Sequence, residues 1–135
     1  MTSIFSKIVA GEIPSHKIAE TDKFLAFLDV SPLATGHTLV IPKKEIDYLF
    51  NIEDDLYSGL MLFAKKVARA IESAIPCKRI GVAVIGLEVA HAHVHLVPIN
   101  NVGDINFSRP KLHPGNHELV ETANKIMQAY KALSS

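Results

Sequence analysis

The segment Val89-Ala90-His91-Ala92-His93-Val94-His95-Leu96-Val97-Pro98 alternates histidine with small or apolar residues at a strict period of two. A helix would scatter positions 91, 93 and 95 around its axis. An extended strand aligns them and sends Ala92, Val94 and Leu96 to the opposite face. The segment therefore calls for a sheet with a core on one side and a row of imidazoles on the other. Three of the chain's seven histidines lie in this one row, so the row needs a chemical explanation as well as a structural one.

The rest of the chain supplies a sheet and its cover. HKIAET and KFLAFLDV are short apolar runs meeting at Thr21-Asp22, as expected for paired strands. The turn-rich VSPLATG follows, and HTLVIP gives a third strand that Pro42 terminates. After Pro76, KRIGVAVIG reads as a buried strand leading into the histidine segment. Leu56, Leu60, Phe63, Val67 and Ile71 recur at steps of three and four, which predicts an amphipathic helix. Leu119, Ala123, Ile126, Tyr130 and Leu133 predict a C-terminal helix over about 116–133, with Asn116 or His117 near its cap. A short N-terminal helix is capped by Thr2 or Ser3, shows Ile4, Phe5, Ile8 and Val9 on one face, and ends at Gly11 and Pro14. The polar NVGDINFSRPKLHPGN reads as a loop. The order is one helix, three strands, a helix, two strands and a helix. It predicts an α+β fold: a mainly antiparallel five-stranded sheet with packed helices, within one domain spanning residues 1–135.

Charge and cysteine content narrow the function. Fourteen basic and fourteen acidic residues give a formal net charge of zero, so no global field favours a nucleic-acid backbone or an anionic bilayer. Recognition of phosphate would have to be local. Cys77 is the single cysteine, which excludes an internal disulfide and suits a reducing compartment. No stretch approaches the roughly 20 apolar residues that span a membrane, and the N-terminus lacks a signal-like apolar run. The expected location is the cytoplasm.

Three chemistries fit the row. It is simply a hydrogen-bonded strand, although three imidazoles on one face need many partners. It is a catalytic zinc centre, although His91 and His95 lie two pleats apart, roughly 7 Å from strand rise, so that two of the row with His37 or Glu88 would converge better. Or one neutral imidazole attacks phosphorus while a neighbour donates to the phosphate oxygens, which needs alignment but no convergence.

The segment His91-Ala92-His93-Val94-His95-Leu96-Val97 resembles the signature of the histidine triad (HIT) family, in which three histidines alternate with apolar residues. SIFSKIVAGEIP, AFLDVSPLATGHTLVIPKK and GLEVAHAHVHLVP are similar to successive blocks of that family, in order, across residues 3–98, and the likeness is nearest to its Hint-like branch. The resemblance implies a homodimer whose sheets join. It also implies hydrolysis or transfer at the α-phosphorus of a purine nucleoside 5′-phosphate derivative, such as a phosphoramidate, without metal or organic cofactor. On this resemblance His93 is the nucleophile, His95 contacts phosphate, His91 supports the row, and His37 is the remaining phosphate-side histidine. Asp29 holds the ribose, and Phe5, Ile8, Phe27, Leu28, Val30, Leu39 and Val89 wall the base. From pattern alone the apolar residues serve equally well as core, and Asp29 before Val30-Ser31-Pro32 equally well as a turn residue.

The chain departs from the family pattern in three places. Many members carry Gln and then Ser or Thr shortly before the triad, where this chain has Leu87 and Glu88. Glu88 is then protonated, turned away, or the acid that protonates the leaving group. RIGVAVIG offers no counterpart to the ribose-side Asn. Zinc-binding relatives place Cys pairs and a His where this chain has Ser3, Ser6 and Glu45, so structural zinc is not expected. A nucleotide-binding module with little turnover and a metal-dependent hydrolase are the competing functions.

Overall fold

The computed structural model describes residues 2–134. In chain order the elements are α1 (Ile4–Val9), β1 (Lys17–Glu20), β2 (Phe24–Leu28), β3 (Thr38–Pro42), α2 (Asp54–Ala74), β4 (Arg79–Ala83), β5 (Val94–Ile99) and α3 (Asn116–Ser134), with 3-10 turns at Leu49–Asn51 and Val102–Asp104. The strands form one sheet in the order β1-β2-β3-β5-β4, every pair antiparallel.

Alternation along the strands sorts two cores. Phe24, Ala26 and Leu28 of β2, Val40 of β3, and Val94 and Leu96 of β5 face α2 and α3. There they meet Leu60, Phe63, Val67 and Ile71 of α2 and Leu119, Ala123 and Ile126 of α3. Leu25, Phe27, Leu39 and Ile41 point the other way and are covered by Phe5 and Ile8 of α1. Each fully buried side chain of this kind stabilises the fold by roughly 1.5–3 kcal/mol. A helix of six residues has no stability of its own, so α1 exists because Phe5 and Ile8 seal this smaller core and because Ser3 caps it, its Oγ accepting the Ser6 N–H at 2.9 Å. Leaving only part of the sheet covered on that side is what creates a cleft.

Two expectations need correction. KRIGVAVIG is not a buried strand: β4 is the sheet edge, its residues are exposed or half-buried, and Val82 is 55 % exposed, because β5 is its sole neighbour. The histidine segment is not strand throughout: β5 begins at Val94, so His95 lies in the ladder while His91 and His93 precede it. The period of two nevertheless persists. The Ala92 N–H donates to the Ile46 carbonyl at 2.7 Å, holding the segment extended past the end of β3, with Ala92 in the larger core and the two histidines on the α1 side.

Gly36, at φ +96°, makes the turn that returns the chain to β3. An added Cβ there would meet Ile75 Cγ1 at 3.0 Å and Pro98 Cγ at 3.3 Å. His37 follows it directly and is held at the sheet end by Asp29 N–H to His37 O and His37 N–H to Ala34 O, both 3.0 Å. No described helix is long and apolar enough to cross a membrane.

Candidate functional site

The partly covered sheet face opens into a cleft of about 590 Å³, in the range of small-molecule sites. His93, His95, Asp29 and Glu88 line it, as do Phe5, Ile8, Phe27, Leu28, Val30, Leu39 and Val89. The structure therefore brings together every expected site residue except His91 and His37, which stand behind the lining. His91 is completely buried, and His37 is 1 % exposed behind His95.

Hydrogen bonds fix the tautomer of each ring. The His91 Nε2 lies 2.7 Å from the Pro42 carbonyl, which can only accept, so Nε2 carries the proton. Its Nδ1 accepts from the Ser3 hydroxyl at 2.8 Å. Burial lowers the His91 pKa, in keeping with this neutral form. The His93 Nδ1 donates to the His91 carbonyl at 2.8 Å, which leaves the neutral ring a lone pair on Nε2. On the other flank the Leu33 N–H donates to His37 Nδ1 at 3.0 Å, so the His37 proton is on Nε2 and is donated to His95 Nδ1 at 3.0 Å. His95 then carries its own proton on Nε2. No buried side-chain nitrogen or oxygen among the described residues lacks a partner, and the free Nε2 atoms of His93 and His95 both open to the cleft. Two rings 4.9 Å apart thus present opposite functions, a lone pair and an N–H.

Burial keeps the flanking rings neutral. Desolvation, helped by the Lys111 charge, pushes His37 down to about 4. Desolvation and the neighbouring His37 push His95 down to about 3. Phe107 contributes that cover, its ring edge-on to His95 at 4.6 Å and to His37 at 6.1 Å. Phe5 packs edge-on to His93 at 5.0 Å. Asp29 plays the turn part, its Oδ1 accepting the Ser31 N–H at 2.9 Å, while Oδ2 lies 3.7 Å from His37 Nε2. With His37 neutral this is a polar contact and not an ion pair. Burial raises the Asp29 carboxyl above its ordinary value.

Asp29, His37 and His95 place ligand atoms within 4.8 Å of one another, which bears on the zinc alternative. To ligate through Nε2, His37 would have to move its proton to Nδ1, against the Leu33 N–H. Two donors would then face each other in a buried position. The donors are spaced and protonated as a hydrogen-bond relay, and the expected partner Glu88 is exposed on the cleft lip, outside this group. Ser3, Ser6 and Glu45 do come together with His91. Glu45 accepts the Ser3 N–H at 2.6 Å and the Ser6 hydroxyl at 2.7 Å, contacts that hold its carboxyl well below the usual range. Hydroxyls and one carboxylate do not offer the thiolate and imidazole set that structural zinc prefers, and their hydrogen bonds are already spent on one another.

The sequence reading missed Phe107 and Lys111, both on the cleft wall, and Ile13 and Ile85 on its apolar side. The loop carrying the first two folds back over the site, clipped by the Leu112 N–H to the Pro32 carbonyl at 2.9 Å. A lone aromatic in a polar, proline-containing stretch was the available signal.

A model of the HIT domain matches residues 10–102, and the chain belongs to that family. It is 35 % identical to "Protein hit" of Bacillus subtilis over 98 % of this chain and 94 % of that one. It is 39 % identical to an adenosine 5′-monophosphoramidase of Schizosaccharomyces pombe over 75 % of this chain and 77 % of that one. Among solved structures, a zinc-bound histidine triad family protein from Mycobacterium smegmatis superposes with TM-score 0.85 at 28 % identity, covering 99 % of this chain and 96 % of that one.

Proposed function

We propose that this protein hydrolyses purine nucleoside 5′-phosphate derivatives, phosphoramidates among them, at the α-phosphorus through a covalent intermediate on His93. One observation carries the reading: the His93 Nδ1–H is tied to the His91 carbonyl, so the opposite nitrogen meets the cleft as a lone pair beside the His95 N–H. The base lies against Phe5, Ile8, Phe27, Leu39 and Val89, with Val30 at the margin while the Leu28 side chain turns into the larger core, and the Asp29 oxygen not bonded to Ser31 accepts from a ribose hydroxyl. In the first step an Nε2–P bond forms, the bond to the leaving group breaks, and the leaving group departs with the electron pair. The His95 N–H, backed by His37, stabilises charge on the phosphate oxygens. Water then attacks phosphorus and gives up a proton to Glu88 or solvent, the P–N bond breaks with its electron pair returning to Nε2, and the 5′-monophosphate leaves a neutral imidazole behind. An amine leaving group needs a proton in the first step, and Glu88 on the cleft lip is the side chain placed to exchange it. These steps use side chains and water alone.

The similarity to a named adenosine 5′-monophosphoramidase supports this choice of substrate class. The unpaired outer edge of β4 supports a homodimer in which two sheets join edge to edge. The test is His93→Ala assayed with adenosine phosphoramidate and dinucleoside polyphosphates. Turnover is lost while nucleotide binding persists, and intact-mass trapping of the unaltered enzyme finds one nucleotidyl group on His93. Full activity in the variant, or an adduct elsewhere, refutes the assignment. Tight binding without turnover by the unaltered protein across that panel would instead establish a binding module.

A further inference from the structure

A phosphate ester brings at least one negative charge into the cleft, and a charge taken from water needs a counter-charge or a dense set of donors. His95, backed by His37, supplies a donor but no charge, since burial keeps both rings neutral at ordinary pH. The acidic groups on the lining, Asp29 and Glu88, have the wrong sign. Among the described residues that line the cleft, Lys111 is the only lysine or arginine.

Its ammonium is held in place and does not trail in solvent. Lys111 Nζ donates to the Phe107 carbonyl at 2.6 Å and to the Arg109 carbonyl at 3.3 Å. An ammonium has three donors, and the third remains for the cleft. The same loop seats Phe107 on His95 and is clipped to Pro32, so the cation and the ring covering the phosphate-side histidine are tied to one another through the Phe107 carbonyl. Lys111 shares the cleft lining with His95 and Asp29, near enough for its charge to act on both and on His37 behind them.

We infer that Lys111 is the phosphate-binding cation of this cleft, its remaining N–H contacting a non-bridging oxygen and giving the site its preference for phosphorylated over unphosphorylated nucleosides. The inference rests on the nucleotide reading above. It also assigns a task to a loop that has no part in the signature segment, and it compensates a lining that is otherwise acidic.

Calorimetric titration with adenosine 5′-monophosphate and with adenosine tests it, on the unaltered protein, Lys111→Met and Lys111→Arg, with melting temperatures recorded alongside. Lys111→Met should weaken monophosphate binding by about 10- to 100-fold, the range for a hydrogen bond to a charged group, and leave adenosine binding within about twofold. Lys111→Arg should retain most of the monophosphate affinity. Added salt should weaken monophosphate binding to the unaltered protein more than to Lys111→Met. Unchanged monophosphate affinity in Lys111→Met overturns the inference, as does an equal loss for both ligands, which would mark Lys111 as a loop fastener only. If the unaltered protein binds neither ligand, the nucleotide reading itself fails and this inference with it, before any variant is measured.

Discussion

Replacing Ser3 with alanine removes one hydroxyl that makes two contacts. Its oxygen accepts the Ser6 N–H as the N-cap of α1, and its proton goes to Nδ1 of the fully buried His91. Losing an N-cap of this kind costs about 0.5–2 kcal/mol. Leaving a buried acceptor unpaired costs about 1–3 kcal/mol. The Ser6 hydroxyl, 3.4 Å from the same nitrogen, can turn from Glu45 to replace part of the second contact. A net loss of about 2–4 kcal/mol follows while Ser6 stays on Glu45, and the cap's share alone if Ser6 turns fully. For 135 residues the unfolding entropy makes each kcal/mol worth about 3.5 °C, so calorimetry should find the melting temperature lowered by about 7–14 °C in the first case. Ser3→Thr, which keeps the hydroxyl, should lose much less. Because the His91 carbonyl orients His93, Ser3→Ala should also lower kcat more than it raises KM. A melting temperature within about 2 °C of the parent would refute the clamp, and an unchanged kcat would refute its link to His93.

Three further outcomes are expected. Gly36→Ala combines a positive φ with contacts of 3.0 and 3.3 Å and should destabilise by about 1–3 kcal/mol, measured by urea unfolding. Folding depresses the pKa values of His37 and His95 to about 4 and about 3. The unfolded chain therefore binds more protons below about pH 6.5, and native stability, complete above that pH, should fall as pH drops toward 3, as followed by melting temperature against pH. Phe107→Ala uncovers one side of His95, and in a proton NMR titration its pKa should rise toward the ordinary imidazole value; an unchanged value would show that the ring is not what dries the site.

The sheet was legible wherever sequence alternation coincides with burial on two faces, as in β2, where Phe24, Ala26 and Leu28 separate from Leu25 and Phe27. It misled at β4, because an apolar run does not reveal how many neighbours a strand has, and Val82 is exposed for want of a second one. The histidine row was readable as a direction of side chains but not as three equivalent groups. His91 is sealed beneath α1, His93 opens to the cleft, and His95 is backed by a fourth ring contributed from Gly36-His37. Ser3 was legible as a cap of α1, but the convergence of Ser3, Ser6 and Glu45 on His91 was not, since it spans up to 88 positions of chain. Lys111 was invisible for a similar reason: nothing local tells a loop that it will fold back over a cleft.

The account stands on the division of labour between two adjacent imidazoles, which nitrogen-15 NMR of the histidine-labelled protein reads directly. Near neutral pH, His93 should give the shift pattern of a ring protonated on Nδ1 with a bare Nε2, whereas His37, His91 and His95 should give that of rings protonated on Nε2. A His93 ring carrying its proton on Nε2 would contradict it.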